Sequence, residues 1–365
     1  MDMSSKRARH RRFWQPLTKG EGGYLAVSSP IDDSGMLPCP INPPESLEEK
    51  WLSVEYVLKK TEADAKNIYR GLDAIHNVFV NFGPGVHAAM LGAPYILQEA
   101  SVWFDSGPPI KSWDTMPGLT ANCEHELYKA VEAHTRALCA ASNGRYAVSH
   151  TDIGGQLDVL FSLRGEELLM DLIEYPDEVL AAQEQLDREF ISYFNTLSGI
   201  IGPAGCGYTG WIPIVSDSPW YPIQCDMSVM ISPDMFETFV MPSLERISAR
   251  IGNSIYHLDG PGQIQHLDML LSLKHVHAIQ WVPLPAAKTG DGTVYRDFAD
   301  AMSLDIYRRI LKAGKKVVLL DVMPFQVSAV YDAAGCDGVF IETPCKTRKE
   351  ADALVAFAGG KWIKS

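Results

Sequence analysis

The sequence predicts an α/β fold, a (β/α)₈ TIM barrel preceded by an irregular amino-terminal extension. From about residue 75 onward, short β-rich runs alternate with longer helical segments, which is the pattern of parallel βαβ units. The chain has 365 residues, 46% of them hydrophobic. That length and composition suit one large barrel better than two separate domains.

Eight segments are predicted to be barrel strands, the number that closes such a barrel. They are residues 77–81, 145–152, 208–216, 222–226, 254–259, 277–282, 316–322 and 338–343. Helices are predicted at residues 165–175, 176–194, 232–251, 303–313 and 347–357. Pro233 favours a helix start, because amide hydrogens in the first turn of a helix have no acceptor within the helix, so proline loses no hydrogen bond there.

Residues 1–70 are predicted to form an extension and a helix that pack on a barrel of residues 71–365. Five prolines between positions 30 and 44 prevent a helix there, and residues 24–29 form one short strand at most. A helix is expected after Ser46, with Glu49 as its capping-box partner. The basic run 6–12 is expected to be a solvated tail. The extension is expected to cover the bottom of the barrel or to contact a second subunit of a homodimer.

Composition excludes several classes of partner. The net charge of −13 argues against nucleic-acid binding, which needs a basic surface. No apolar run approaches the roughly 20 residues of a membrane span, and the first residues lack the apolar stretch of a secretory signal. Seven scattered cysteines without a CxxC pair indicate reduced thiols and a cytoplasmic setting. A small-molecule substrate is therefore expected.

The predicted strands begin with apolar residues and end in polar ones. Because the carboxyl ends of parallel barrel strands lie on one face, where barrel enzymes place their chemistry, these residues are expected to share a site. For any one residue, the alternative is that it only marks the end of a strand or is satisfied in the core. The candidates are His150, Asp152, His257, Asp259, Gln280, Glu342 and Cys345. Cys225 and Asp226 end another predicted strand; one of them must point inward, and the sequence does not decide which.

Three of these candidates suit catalysis. Asp152 and His150 alternate on one strand and could transfer protons, although structural Asp–His pairs are equally common. Glu342 is a catalytic candidate or the partner in a loop-end ion pair. A second group is expected to bind substrate, with aromatic faces that suit a flat or methylated ligand; the alternative is packing between barrel and helices. Its members are Trp103, Tyr221, Gln280 and Trp281.

Several sequence blocks resemble the uroporphyrinogen decarboxylase superfamily, and most closely the branch of the methylcobalamin:coenzyme M methyltransferases. The blocks are QCDMSVMISPDMFETFVMPSLERI, IYHLDGPGQIQHLDMLLSL, HAIQWVP, NFGPGVHAAMLG, SVWFD and DIGGQLDVLFSLRGEELLMDLIEYPDEV. The resemblance covers roughly residues 10–360. The decarboxylases carry an arginine-rich stretch of the form RPPVWLMRQAGR, whereas the comparable VNFGPGVHAAM has no arginine. A polyanionic porphyrinogen would be poorly neutralised here.

The methyltransferase branch holds zinc through a His-x-Cys pair and a later cysteine. The resemblance therefore implies a metal site at His257, Asp259 and Cys345. Asp259 stands where the family has a thiolate, although zinc also accepts carboxylate oxygen. A carboxylate donates less electron density than a thiolate, which leaves a different metal or no metal as alternatives.

The implied activity is transfer of a methyl group between a corrinoid and a small thiol or related acceptor. The chain has no DxHxxG segment for corrinoid binding, so the corrinoid is expected on a partner protein or free. Two other functions stay open. One is a decarboxylase-like lyase acting on a small carboxylic acid or a tetrapyrrole, and the other is a barrel that binds a small ligand without turnover.

Overall fold

The computed structural model describes residues 3–99, 102–104, 107–116, 118–288, 292 and 294–364. The strands are β1 (Tyr24–Pro30), β2 (Ile68–Leu72), β3 (Asn77–Val78), β4 (Tyr95–Leu97), β5 (Val102–Phe104), β6 (Ala147–Val148), β7 (Trp220–Gln224), β8 (Asn253–Asp259), β9 (Val276–Val282), β10 (Pro285–Lys288), β11 (Val294–Arg296), β12 (Lys316–Leu319) and β13 (Val339–Pro344).

The α-helices are α1 (Met3–Phe13), α2 (Leu47–Leu52), α3 (Val54–Asn67), α4 (Val86–Met90), α5 (Glu126–Ser142), α6 (Gln156–Arg164), α7 (Leu168–Glu174), α8 (Pro176–Ile201), α9 (Pro233–Met235), α10 (Met241–Ser248), α11 (Leu267–Ser272), α12 (Ala301–Lys312), α13 (Val327–Ala334) and α14 (Arg348–Lys361). A π-helical turn, Phe236–Val240, joins α9 to α10. Short 3₁₀ helices span Trp113–Thr115, Gly165–Glu167, Gly202–Ala204, Asp226–Met230, Pro261–His266 and Pro324–Gln326.

A seven-stranded sheet joins β1 and β2 to five strands of the second half of the chain, in the order β2-β1-β13-β12-β9-β8-β7. Its neighbours pair in parallel, except for the antiparallel pair β1–β2. Strands β3 and β6 pair with each other in a separate two-stranded ladder. The predicted α/β class is confirmed, and the closed eight-stranded barrel stays a prediction.

The predicted strand at residues 208–216 is wrong. This segment makes only isolated bridges, one between Ser149 and Thr209 and one between Tyr208 and Ser216. The second bridge folds the segment back on itself as a loop, with Tyr208 and Ser216 exchanging backbone hydrogen bonds of 2.8 and 2.9 Å. Pro213, which lacks an amide donor, lies inside that loop and would interrupt a ladder.

The extension is more regular than expected. The segment predicted to be a solvated tail forms helix α1, and Lys6, Arg9 and His10 are buried. Arg9 pairs with Asp73, with Nε 2.5 Å from Oδ1, and the other oxygen of Asp73 accepts from the Leu25 amide at 2.8 Å. These partners lie far away in the sequence, so the basic pattern alone did not reveal them. The short strand predicted at 24–29 is β1, which joins the main sheet beside β13.

Apolar residues cover both faces of the sheet. One face packs against the helices, with residues such as Tyr256, Ile279 and Ile341. The opposite face carries a second cluster in which side chains of the strands meet the residues at the end of α1 and just beyond it. This second cluster includes Phe13, Trp14, Tyr24, Trp220, Ile255, Ala278, Val318 and Phe340.

The second cluster positions the candidate site, because side chains alternate along a strand. Two residues beyond Ile255 and Ala278, on the same face, lie His257 and Gln280. The register pairs Gln224 with His257 and His257 with Gln280, so three polar side chains follow one another across β7, β8 and β9. No helix in the described part of the chain is long and apolar enough to cross a membrane.

Candidate functional site

Three potential metal ligands meet at the carboxyl ends of β7 and β8. Asp226, His257 and Asp259 each offer one ligand atom, and these atoms lie within 4.8 Å of one another. His257 is half-buried, whereas the two aspartates are exposed. Partial desolvation of its carboxyl group by the surrounding protein and the charge of Asp259 raise the pKa of Asp226, while His257 lowers it. Two carboxylates that repel each other beside an imidazole form an arrangement that a cation would stabilise.

Cys345 does not complete this group, contrary to the implied ligand set. His257, Asp259 and Cys345 are not among the described groups whose ligand atoms all lie within 4.8 Å. Cys345 is buried just after β13, where its amide donates to Ser28 O at 2.7 Å. Burial and the charges of two glutamates raise the pKa of its thiol to about 12. These surroundings disfavour the thiolate, which is the form that binds a metal.

Asp226, which was not in the implied ligand set, lies with His257 and Asp259. The sequence left open whether Cys225 or Asp226 points into the site. Cys225 is 1% exposed and packs in the core on the helix side of the sheet. Asp226 follows it and lines the site, so the alternation of side chains along β7 was the signal that separates the two residues.

Gln280 fixes the imidazole of His257. Its Oε1 lies 2.8 Å from His257 Nδ1 and can only accept, so Nδ1 carries the proton. Nε2 is then the nitrogen with a free electron pair. The indole of Trp211 meets the imidazole edge-on, with ring centroids 6.0 Å apart. The predicted substrate-binding residue Gln280 thus orients a ligand residue.

Asp152 lies in the same cavity as His257 and Asp226. Its Oδ1 accepts from the Gly154 amide at 2.9 Å and from the Tyr221 hydroxyl at 3.0 Å. Burial raises the pKa of Asp152, although both hydrogen bonds act in the opposite direction. Oδ2 has no hydrogen-bond partner among the described residues, which leaves it free for a ligand or a proton.

These side chains share a cavity of about 330 Å³. Its wall includes Phe79, Asp152, Trp211, Gln224, Asp226 and His257. Ligand pockets in proteins typically measure roughly 300–1,000 Å³. The cavity is therefore large enough for a small substrate beside Asp226 and His257.

Asp158, on α6, was not predicted from the sequence, although it binds the backbone next to the candidate ligand Asp226. Its two oxygens accept from the amides of Asp226 at 3.0 Å and Met227 at 2.7 Å. Burial and the charge of Asp226 raise the pKa of Asp158 to about 7. The bonded amides lie 68 and 69 residues further along the chain, so no local motif could have indicated this contact.

Several predicted site residues lie elsewhere. His150 is buried against α8, where Nε2 lies 2.8 Å from Ser198 Oγ and burial lowers its pKa to about 4. The expected Asp152–His150 pair is therefore absent among the described contacts. Trp281 is buried under α12 and donates to Ser303 Oγ at 2.9 Å, so the packing alternative applies to it.

The remaining predicted residues are Tyr221, Glu342 and Trp103. Tyr221 is fully buried; its hydroxyl donates to Asp152, and its ring meets the indole of Trp211 edge-on with centroids 5.7 Å apart. Glu342 lies at the end of β13, separated from β8 by β12 and β9, and burial raises its pKa to about 7. The side chain of Trp103 lies outside the described residues.

No known protein family and no curated protein matches the sequence. Among solved structures, the chain is similar to a methyltransferase from Methanosarcina mazei. The similarity covers 98% of each chain, with a TM-score of 0.58 and 12% sequence identity. At that identity the similarity supports a common fold over nearly the whole chain, and the resemblance to the uroporphyrinogen decarboxylase superfamily stays a prediction.

Proposed function

We propose that the protein is a methyltransferase that moves a methyl group between a corrinoid and a small thiol or related acceptor, assisted by a divalent metal. The observation that carries this proposal is the meeting of Asp226, His257 and Asp259 at an open cavity. The similarity in fold to a solved protein named as a methyltransferase supports methyl transfer at this coarse level.

The donor set fits a divalent cation. Zinc accepts one imidazole nitrogen and two carboxylate oxygens, and the two aspartates would balance its charge. When bound, such an ion supplies Lewis acidity, which lowers the pKa of a coordinated thiol. Carboxylates donate less electron density than the thiolates of the resembling family, so we expect a less nucleophilic acceptor at this site.

The residues of the chain would divide the remaining work. Gln280 accepts from Nδ1 of His257, which leaves Nε2 as the nitrogen available to a metal, and Asp158 holds the backbone that carries Asp226. Asp152 presents Oδ2 to the cavity, and we propose that it takes the proton of the acceptor. His150 and Glu342 lie away from the three ligands, so we assign them no proton transfer.

The corrinoid is proposed to arrive on a partner protein or free in solution. The alternative of a lyase acting on a carboxylic acid is less well supported. No lysine or arginine is among the described residues that line the cavity, and an anionic substrate would lack the cation that such binding uses.

The test combines metal analysis with an assay of methylcobalamin demethylation. The purified protein should contain about one metal ion per chain and should consume methylcobalamin when a thiol acceptor is added. His257→Ala and Asp226→Asn should lose both properties, because each removes a ligand. Cys345→Ala is the matched control and should keep both. A metal-free wild-type protein that leaves methylcobalamin intact with every thiol tested would contradict the proposal.

A further inference from the structure

A second cavity, of about 440 Å³, adjoins the metal-ligand cluster. We call it the apolar cavity; its wall includes Ala88, Val102, Val159, Phe161, Met227 and Met230. It shares Pro84, Gln224 and Asp226 with the cavity that contains His257. A molecule lying in the apolar cavity would therefore lie next to the proposed reacting position.

Two polar residues of this wall, Asp158 and Ser162, already have hydrogen-bond partners within the protein. Both oxygens of Asp158 accept backbone amides, from Asp226 and Met227. The hydroxyl of Ser162 donates to the carbonyl of Asp158 at 3.1 Å. What remains for a ligand is mainly apolar surface from methionine, valine, alanine and phenylalanine side chains.

The charges in the wall exclude one class of ligand. Asp158 and Asp226 are its ionisable groups, and the described lining residues include no lysine or arginine. An anionic ligand would thus lose its hydration without gaining a cation, which is costly in a partly enclosed site.

We propose that the apolar cavity binds the body of the methyl acceptor, and that this molecule is uncharged and largely apolar, such as an aryl or alkyl thiol. The identity of the occupant as a reactant depends on the proposed methyl transfer. The selection of uncharged over anionic ligands depends only on the cavity.

The test uses two fluorescent probes that differ mainly by a sulfonate. N-phenyl-1-naphthylamine is uncharged, and 1-anilinonaphthalene-8-sulfonate is its anionic counterpart. The full-length protein should bind the uncharged probe at least about tenfold more tightly, both as purified and after treatment with a chelator. Equal or tighter binding of the sulfonated probe would overturn the proposal.

Two substitutions at Met230 locate the binding. Met230 is 48% exposed, so replacing it should leave folding intact, which a melting curve checks. Met230→Trp should fill the cavity and weaken the uncharged probe at least about tenfold. Met230→Lys should tighten the sulfonated probe by about tenfold or more, because it places a cation beside the bound anion.

Met302 provides the matched control, since it is also 48% exposed but lies on α12, away from the apolar cavity. Met302→Trp and Met302→Lys should leave both affinities within about twofold of the wild type. If the Met302 variants act like the Met230 variants, or if Met230→Trp leaves the uncharged probe unaffected, the cavity is not the binding site. Neither readout requires metal, corrinoid or turnover, so failure here is distinct from failure of the proposed methyl transfer.

Discussion

Replacing Gln280 by leucine removes the acceptor that fixes His257. In the wild type, Oε1 of Gln280 lies 2.8 Å from Nδ1 of His257, and Gln280 is only 4% exposed. Water therefore has little room to take over the bond. Without this acceptor, the tautomer protonated at Nδ1 loses its advantage, and the tautomer protonated at Nε2 cannot offer that nitrogen to a metal.

Loss of such a supporting contact typically weakens metal binding 10- to 100-fold, which is about 1.4–2.7 kcal/mol. We expect this loss for Gln280→Leu, measured by competition for zinc against a chromophoric chelator. Gln280→Glu keeps an acceptor and should retain the affinity. Gln183 is a buried glutamine on α8 and supplies the control Gln183→Leu. Zinc affinity of Gln280→Leu within about twofold of the wild type would refute this reasoning.

Three further predictions concern stability. Asp73→Ala leaves the buried guanidinium of Arg9 unpaired and should cost about 3–5 kcal/mol in urea unfolding. Glu342→Gln should stabilise the protein above pH 7 by up to about 3 kcal/mol, because burial raises the folded pKa of Glu342 to about 7 and an ionised carboxylate is penalised there. Gly155→Ala should destabilise by at least about 1–3 kcal/mol, since its Cβ would lie 2.2 Å from Gln224 O.

Each of these has a control elsewhere in the chain. Asp305→Ala breaks an exposed ion pair and should not measurably change unfolding. The gain from Glu342→Gln should vanish below about pH 4.5, where Glu342 is protonated in both states; a gain that persists there contradicts the stated cause. Gly199→Ala meets nothing within 4 Å in α8 and should stabilise by about 0.5–1 kcal/mol. Losses under about 1 kcal/mol in Asp73→Ala or Gly155→Ala would contradict the packing described for them.

The second-half strands of the seven-stranded sheet could be predicted because each is a compact apolar run between turn signals, whereas β10 and β11 were not predicted. Strands β8, β9 and β13 begin and end within one residue of their predicted bounds. Segment 208–216 was wrongly predicted to be a strand because it is rich in apolar residues. These residues are buried although the segment is a loop, and Ile212 and Ile214 belong to the second cluster. Helix α1 was not predicted because a basic segment is normally exposed. Here its basic residues are buried and bind partners such as Asp73, which are distant in the sequence and close only in the folded chain.

The residues of the candidate site could also be predicted only in part. His257 could be predicted because it lies near the carboxyl end of a clearly apolar strand. Asp259 lies two residues later on the same face of that strand. The sequence did not decide between Asp226 and Cys225, because it does not show which side chains of β7 face the site. Cys345 was assigned by resemblance, and its position depends on the path after β13, where its amide bonds to β1.

The central claim is a metal bound by oxygen and nitrogen alone. X-ray absorption spectroscopy of the zinc-loaded protein tests it most directly, since zinc–oxygen and zinc–nitrogen distances of about 2.0–2.2 Å separate from zinc–sulfur at about 2.3 Å. We predict a first shell that fits one imidazole and carboxylate oxygens without sulfur. A sulfur scatterer that disappears in Cys345→Ala would contradict the site at Asp226, His257 and Asp259.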